Sequence, residues 1–240
     1  MKLVTFRRSG EAYSVARAGV LLPYGVVDLQ AAAPLAFEDA AGQPLDMLRL
    51  LDGSDEGLGL EGAAEIVNAV LDQLGGAVDV VRDESDPDEV DLAGEMSIGG
   101  EALLLPRADA RLLAPLPRPR SLRDFYAFED HVATARRHRG QPVPPAWYRI
   151  PVFYFGNHGA IFGPDESIPM PRTEQLDYEL EVACVIGRQG RNIAPGEVWD
   201  FVAGFTIMND WSARDVQREE MSVGLGPAKG KDFATSLGPY

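Results

Sequence analysis

Between Leu105 and Leu122 the chain reads LPRADARLLAPLPRPRSL, four prolines interspersed with arginines. Proline fixes φ and has no N–H to give, so such a stretch resists helix and central strand alike. It constrains the chain to fold as two units joined by an ordered connection, with a boundary near residue 115. Residues 1–115 form a small α+β domain in this reading, and residues 116–240 a second, strand-rich domain.

The texture on the two sides supports that division. KLVTF, YSVARAGVLL and YGVVDL are strand-like, and helices are expected at Leu45 to Leu51 and Gly62 to Leu74, followed by an acidic stretch from Asp79 to Glu95. Beyond residue 115, aromatic strands, glycine turns and clustered acids take over. No internal repeat or low-complexity tract is visible.

A formal charge of -15 argues against a nucleic-acid partner, because neutralising phosphates needs a basic face. No apolar run approaches the roughly 20 residues that span a bilayer, and MKLVTFRRSGEAYSV lacks the core of a signal peptide. The expected address is the cytoplasm and the expected partner a small molecule. Cys184, the single cysteine, lies in the apolar run VACVIG and reads as a small buried hydrophobe.

In LDYELEVACVIG, a strand would set Leu176, Tyr178, Leu180 and Val182 on one face and Asp177, Glu179 and Glu181 on the other. Same-face neighbours lie about 6 to 7 Å apart. A solvated face of harmless acids is one reading. The continuous apolar run that follows favours another, burial on both faces, which draws Glu181 inward. Paired carboxylates there repel and desolvate badly unless a cation joins them.

Asp210 ends the apolar stretch FVAGFTIMN, and Ser212 with Asp215 makes a capping-box-like pattern opening a helix. Asp210 is therefore either a ligand at a strand-to-helix turn or a helix-flanking acid. Asp124 in RDFYAFEDH is a further candidate or a helix cap. His131 is a candidate base or a surface residue of a short amphipathic helix, while His138 and His158 read as loop residues. Lysine occurs only at Lys2, Lys229 and Lys231. Two of these sit in the glycine-rich GLGPAKGKDFAT, where backbone can approach a ligand and an ammonium can meet an anion; the spacing is not that of a phosphate loop.

RDFYAFEDH, the LDYELE strand, GFTIMNDWSARDVQ and GPAKGKDFATSLGP, in that order, resemble the fumarylacetoacetate hydrolase family over about residues 115 to 240. The resemblance implies a mixed β-sandwich or roll for the second domain, and a homodimer. It implies that Asp124, Glu179, Glu181 and Asp210 bind a divalent metal, Mg²⁺ first with Mn²⁺ or Ca²⁺ as the other hard-oxygen choices. Lys231 and Thr235 would belong to the metal surroundings, Lys231 with a catalytic part. Tyr126, Tyr154, Arg214 and Gln217 would line the substrate pocket, the last two on one helix face.

The implied chemistry is hydrolysis of a carbon–carbon bond in a fumarylacetoacetate-like or acylpyruvate-like oxo-acid, within aromatic-compound breakdown, with His131 activating water. The glutamate that orients this histidine in the hydrolase lies beyond the region matching FATSLGP, so the chain is expected to be part of a longer protein. Thr134 stands where smaller acylpyruvate-cleaving relatives carry the glutamate of a His-x-x-Glu pair, which favours the hydrolase-like arrangement. Asp210 to Lys231 is one residue longer than in the hydrolase, and no tyrosine closely follows Gln217. Isomerisation or decarboxylation of a 2-hydroxyhepta-2,4-diene-1,7-dioate or hydroxymuconate-type acid is the second reading; a non-catalytic metal-binding protein is the third.

Overall fold

In the computed structural model, residues 1–10, 15–52, 58–74 and 97–240 are described. The acidic stretch from Asp79 to Glu95 lies outside them. The architecture is α+β and strand-rich, as expected. β1 (Leu3–Arg8), β2 (Arg17–Leu22) and β3 (Gly25–Asp28) lead into helix α1 (Leu29–Ala36), then α2 (Met47–Leu51) and α3 (Gly59–Gln73). The strands and the two later helices agree with the hydrophobic periodicity. α1 was not anticipated, since QAAAPLA has no clear polar face and carries Pro34 within it.

A short hairpin of β4 (Ser97–Ile98) and β5 (Glu101–Ala102) is followed by β6 (Leu104–Leu105) and β7 (Ala110–Leu112). These last two complete an antiparallel sheet in the order β6-β3-β2-β1-β7. Thus the proline-rich stretch does hold regular structure: Ala110–Leu112 is free of proline, and its two buried residues flank an exposed arginine, the alternation of a half-buried strand. One sheet face, with Ala18, Val20 and Val27, packs against Ala32 of α1 and Ile66 and Val70 of α3. The other gathers Val4, Phe6, Val26 and Leu112.

Asp28 pins this unit together. Wholly buried, it caps α1 by accepting from the Gln30 and Ala31 amides at 3.0 and 3.1 Å, and it takes Arg8 and Arg17 at 2.7 and 2.9 Å.

After β7 the chain runs directly into the second half. Thr5 accepts from the Leu113 amide at 2.8 Å and donates its hydroxyl to the Pro115 carbonyl at 2.6 Å. Gly163 lies against this crossing so closely that a Cβ there would stand 2.2 Å from the Ala114 nitrogen. Next come β8 (Leu122–Phe125), α4 (Glu129–His138), β9 (Phe153–Gly156), β10 (Ile161–Phe162), β11 (Leu176–Asp177), β12 (Leu180–Ile186), β13 (Val202–Asp210), β14 (Ser212–Ala213), α5 (Arg214–Ser222) and β15 (Thr235–Leu237). The central sheet is ordered β10-β15-β13-β12 and mixed, with β10 parallel to β15 and the remaining pairs antiparallel. β8 pairs with β9, and β11 with β14.

Two expectations need correction here. β12 is not buried on both faces: Leu180 and Val182 are 73% and 69% exposed, and Cys184 is exposed rather than buried. The apolar run alternates, with Glu181, Ala183 and Val185 facing inward, because this side alone is covered by the small cluster of Ala114, Met208 and Leu237. His138 is the last residue of α4, not a loop residue. Among the described residues no helix is long and apolar enough to cross a membrane.

Replacing Asp28 by alanine removes a helix cap and the carboxylate that Arg8 and Arg17 share, leaving Glu101 as the acid that still pairs with both. The expected loss is about 3 kcal/mol of unfolding free energy, measured by urea titration, with no change in divalent-ion binding by the second half.

Candidate metal centre

β12 and β13 are antiparallel neighbours with Glu181 opposite Met208, and β13 continues to Asp210, which lies opposite Thr235 of β15. Pairing brings the end of β13 beside the start of β12: the Asp210 amide donates to the Glu179 carbonyl at 3.0 Å. β8, paired with β9, adds Asp124 next to Tyr154 in register. Carboxylate oxygens of Asp124, Glu179, Glu181 and Asp210 all lie within 4.8 Å of one another. These four residues come from three separate strands or their edges.

Asp177 does not join them. The strand predicted through Leu176–Ile186 breaks at Tyr178 and Glu179, because β11 leaves the main sheet to pair with β14. Asp177 instead accepts from Arg214 at 2.9 Å. Asp124 is a strand residue, not a helix cap. The capping box does not form either: no side chain caps α5, Ser212 belongs to β14, and the Asp215 carboxylate turns outward to Thr173 and the Glu174 amide.

Cations meet the acids from one side. Buried Lys231 reaches Glu179 at 2.7 Å, Asp210, and the Ser212 hydroxyl at 2.8 Å. Arg214 spans Asp177 and Glu179, the latter at 2.6 Å, and donates to Gln217 at 3.0 Å, so the helix-face pair is in contact. Tyr154 donates to Asp210 at 2.5 Å. Thr235 is buried, its amide held by Ala160. His131 is exposed on the first turn of α4, its ring edge-on to Tyr126 at 5.5 Å.

Ser212 and Glu220 were missed as contributors. Ser212 read as a helix opener, and nothing local distinguishes a serine that accepts from a distant lysine. Glu220 sits in the charged run QREE, where one acid looks like its neighbours.

The electrostatics show what the cluster lacks. Burial first, then the charges of Asp124, Asp210 and Glu179, push the Glu181 carboxyl up to about 8. Burial and the Asp210 charge push Asp124 up to about 6, against the hydrogen bond from Tyr154. Burial acts on Glu179 as well, but the hydrogen bonds and charges of Lys231 and Arg214 outweigh it and hold it below the ordinary carboxylate range. The Tyr154 hydroxyl is raised by burial and by Asp210, so it remains a donor.

The four carboxylates meet Lys231 and an Arg214 that Glu179 shares with Asp177, so negative charge is left in formal excess, which a divalent ion would offset. The donors are all oxygens, which suits a hard ion. The residues present therefore fit a divalent metal.

Glu181 and Asp124 hold protons in the folded chain that an unfolded chain releases at about pH 4. Between those limits the native state binds more protons, so the stability of the metal-free protein falls as pH rises. Melting temperature without divalent ions should decline from about pH 5 to about pH 8, and added Mg²⁺ or Mn²⁺ should raise it more at about pH 8 than at about pH 5, since ions compete with protons. A metal effect that is the same at both ends would count against a shared carboxylate site.

Comparison with known proteins agrees with this geometry. The family described as fumarylacetoacetate (FAA) hydrolase, C-terminal, matches residues 121–240. The fumarylacetoacetase of Oryza sativa subsp. japonica is 32% identical over 161 residues, 57% of this chain and 36% of its own. The human mitochondrial oxaloacetate tautomerase FAHD2A is 33% identical over 145 residues, 60% of this chain and 44% of its own. The chain thus spans less than half the length of either. The crystal structure of maleylpyruvate hydrolase from Sphingobium sp. SYK-6 superposes with a TM-score of 0.55 at 18% identity, covering 100% of this chain and 65% of that one, a likeness of fold. With its four ordered motifs, its convergent acids and half of its length matched, the chain belongs to the fumarylacetoacetate hydrolase family.

Proposed function

We propose that the protein to which this chain belongs hydrolyses a carbon–carbon bond in a fumarylacetoacetate-like or acylpyruvate-like diketo acid. The observation that carries this reading is the convergence of Asp124, Glu179, Glu181 and Asp210 within 4.8 Å beside buried Lys231. These four residues would hold Mg²⁺, with Mn²⁺ or Ca²⁺ as the other hard ions, and the ion when bound supplies a Lewis acid for a carbonyl oxygen of the substrate. A maleylpyruvate hydrolase of the same fold was crystallised with manganese (II) and pyruvate, which supports an oxo-acid at such a site.

The chain's own side chains have distinct tasks. Lys231, with Thr235 nearby, counters the excess negative charge that would otherwise repel an oxo-acid anion. Tyr126, Tyr154, Arg214 and Gln217 would border the substrate; Tyr154 and Arg214 hold Asp210 and Glu179 in place through their hydrogen bonds. His131 would take a proton from water as the oxygen adds to the acyl carbon. The bond to the neighbouring carbon then breaks, and its electron pair passes to that fragment and is captured by a proton.

A homodimer, a cytoplasmic address, a role in aromatic-compound breakdown and a domain division near residue 115 belong to the same reading. Isomerisation or decarboxylation of a hydroxymuconate or 2-hydroxyhepta-2,4-diene-1,7-dioate type of acid is the second reading. It is supported by the likeness to an oxaloacetate tautomerase.

His131→Ala separates the two. In the Mg²⁺-loaded protein it should lower acylpyruvate hydrolysis by about 10²-fold or more, the scale of one positioned base, while any oxo-acid tautomerisation persists. Unchanged hydrolysis would remove His131 from the mechanism. Asp210→Asn should abolish binding of Mn²⁺ seen by calorimetry, and retention of wild-type affinity would sink the metal reading.

A further inference from the structure

The glycine-rich loop before Lys231 invites a ligand in sequence terms, because successive backbone amides can cradle an anion. In the structure that anion is internal. The Glu220 carboxylate, on the last turns of α5, accepts from the Ala228 amide at 2.9 Å and the Gly230 amide at 3.2 Å through Oε1, and from the Lys229 amide at 2.7 Å through Oε2. One side chain thus receives three consecutive amides immediately ahead of Lys231.

Other contacts lock the same loop to the same helix. Gly230 is pressed so tightly on α5 that a Cβ would stand 2.8 to 2.9 Å from Gln217. Its carbonyl accepts from the Ala213 amide at 2.7 Å, and the Lys231 amide closes the turn onto the Ala228 carbonyl at 2.9 Å. Lys231 then enters the carboxylate cluster with its Nζ between Glu179 and Asp210. A long, flexible lysine reaches a fixed point only if its backbone is fixed, since each free torsion multiplies the positions its ammonium can take.

We propose that Glu220 is a positioning residue of the metal centre: by gathering the amides of Ala228, Lys229 and Gly230 it sets the backbone from which Lys231 reaches Glu179 and Asp210. It touches neither the acids nor a substrate, and it acts through Lys231. The inference rests on the proposed reading of the cluster as a divalent site that accepts an oxo-acid anion.

The two roles of Lys231 have opposite electrostatic signs, which gives the test its direction. An ammonium beside the acids opposes a divalent cation and attracts an anion. Lys231→Met should therefore bind Mn²⁺ about tenfold more tightly by calorimetry, and its Mn²⁺-loaded form should bind pyruvate about tenfold more weakly. Glu220→Gln, in which an N–H₂ opposes the Lys229 amide, should shift both affinities in the same directions by about threefold. Amide exchange at Lys229 should quicken about tenfold in that variant. Glu219→Gln, one residue away on the exposed side of α5, should leave all three unchanged.

Should Glu220→Gln fail to fold, Glu220→Asp withdraws the carboxylate by about 1.5 Å, one bond length, and is read the same way. Faster exchange at Lys229 with wild-type affinities for Mn²⁺ and pyruvate, in a chain where Lys231→Met alters both, overturns the inference and leaves the metal reading standing. Absence of Mn²⁺ binding by the unaltered chain overturns both.

Discussion

Like charges that share a small space decide most of what this structure does. Four carboxylates within 4.8 Å cannot all ionise without a compensating cation, and the fold answers in three ways. Lys231 and Arg214 neutralise Glu179, Tyr154 donates to Asp210, and the remaining strain in charge appears as the raised carboxyls of Asp124 and Glu181. Such an arrangement is costly in a metal-free chain and sensible around a divalent ion.

The framework that tolerates this cost lies partly elsewhere. The apolar core of the five-stranded sheet, with α1 and α3 on one face, belongs to the first half of the chain, while the cluster sits on the edges of a mixed sheet whose other face is largely exposed. The crossing at Thr5, Leu113, Pro115 and Gly163 ties these halves by backbone approach and hydrogen bonds more than by large side chains. Site rigidity therefore depends on local polar clamps. α5 carries two: Asp215 at its start secures the turn at Thr173 and Glu174, and Glu220 near its end secures the loop before Lys231.

Much of the site was readable in advance, for reasons that differ between residues. Glu179 and Glu181 were placed on one face by strand alternation alone, and Asp210 by the switch from an apolar run to a helix signal. Asp124 had only an open choice between ligand and helix cap, and Lys231 only a flexible glycine-rich loop, until the resemblance of whole motifs assigned both to one site. The errors have a common cause. A side-chain pattern does not say which face is covered, so β12 and Cys184 were taken as buried, and it does not say where a strand breaks to change partners, so Asp177 was taken as a companion of the other acids.

What the sequence determined by itself is local: the strands β1 to β3, the alternation that puts Glu179 and Glu181 on one face, the helices at α2 and α3, the proline-bearing crossing and the identity of the acids. What only tertiary structure decided is which of those acids meet, that Arg214 takes Asp177 away from the group, and that Glu220 and not an outside anion fills the amide cradle beside Lys231. The reason is range. Backbone torsions and side-chain period act over a few residues, whereas the cluster joins Asp124, Glu179, Glu181 and Asp210 across strand pairings whose partners no local signal names.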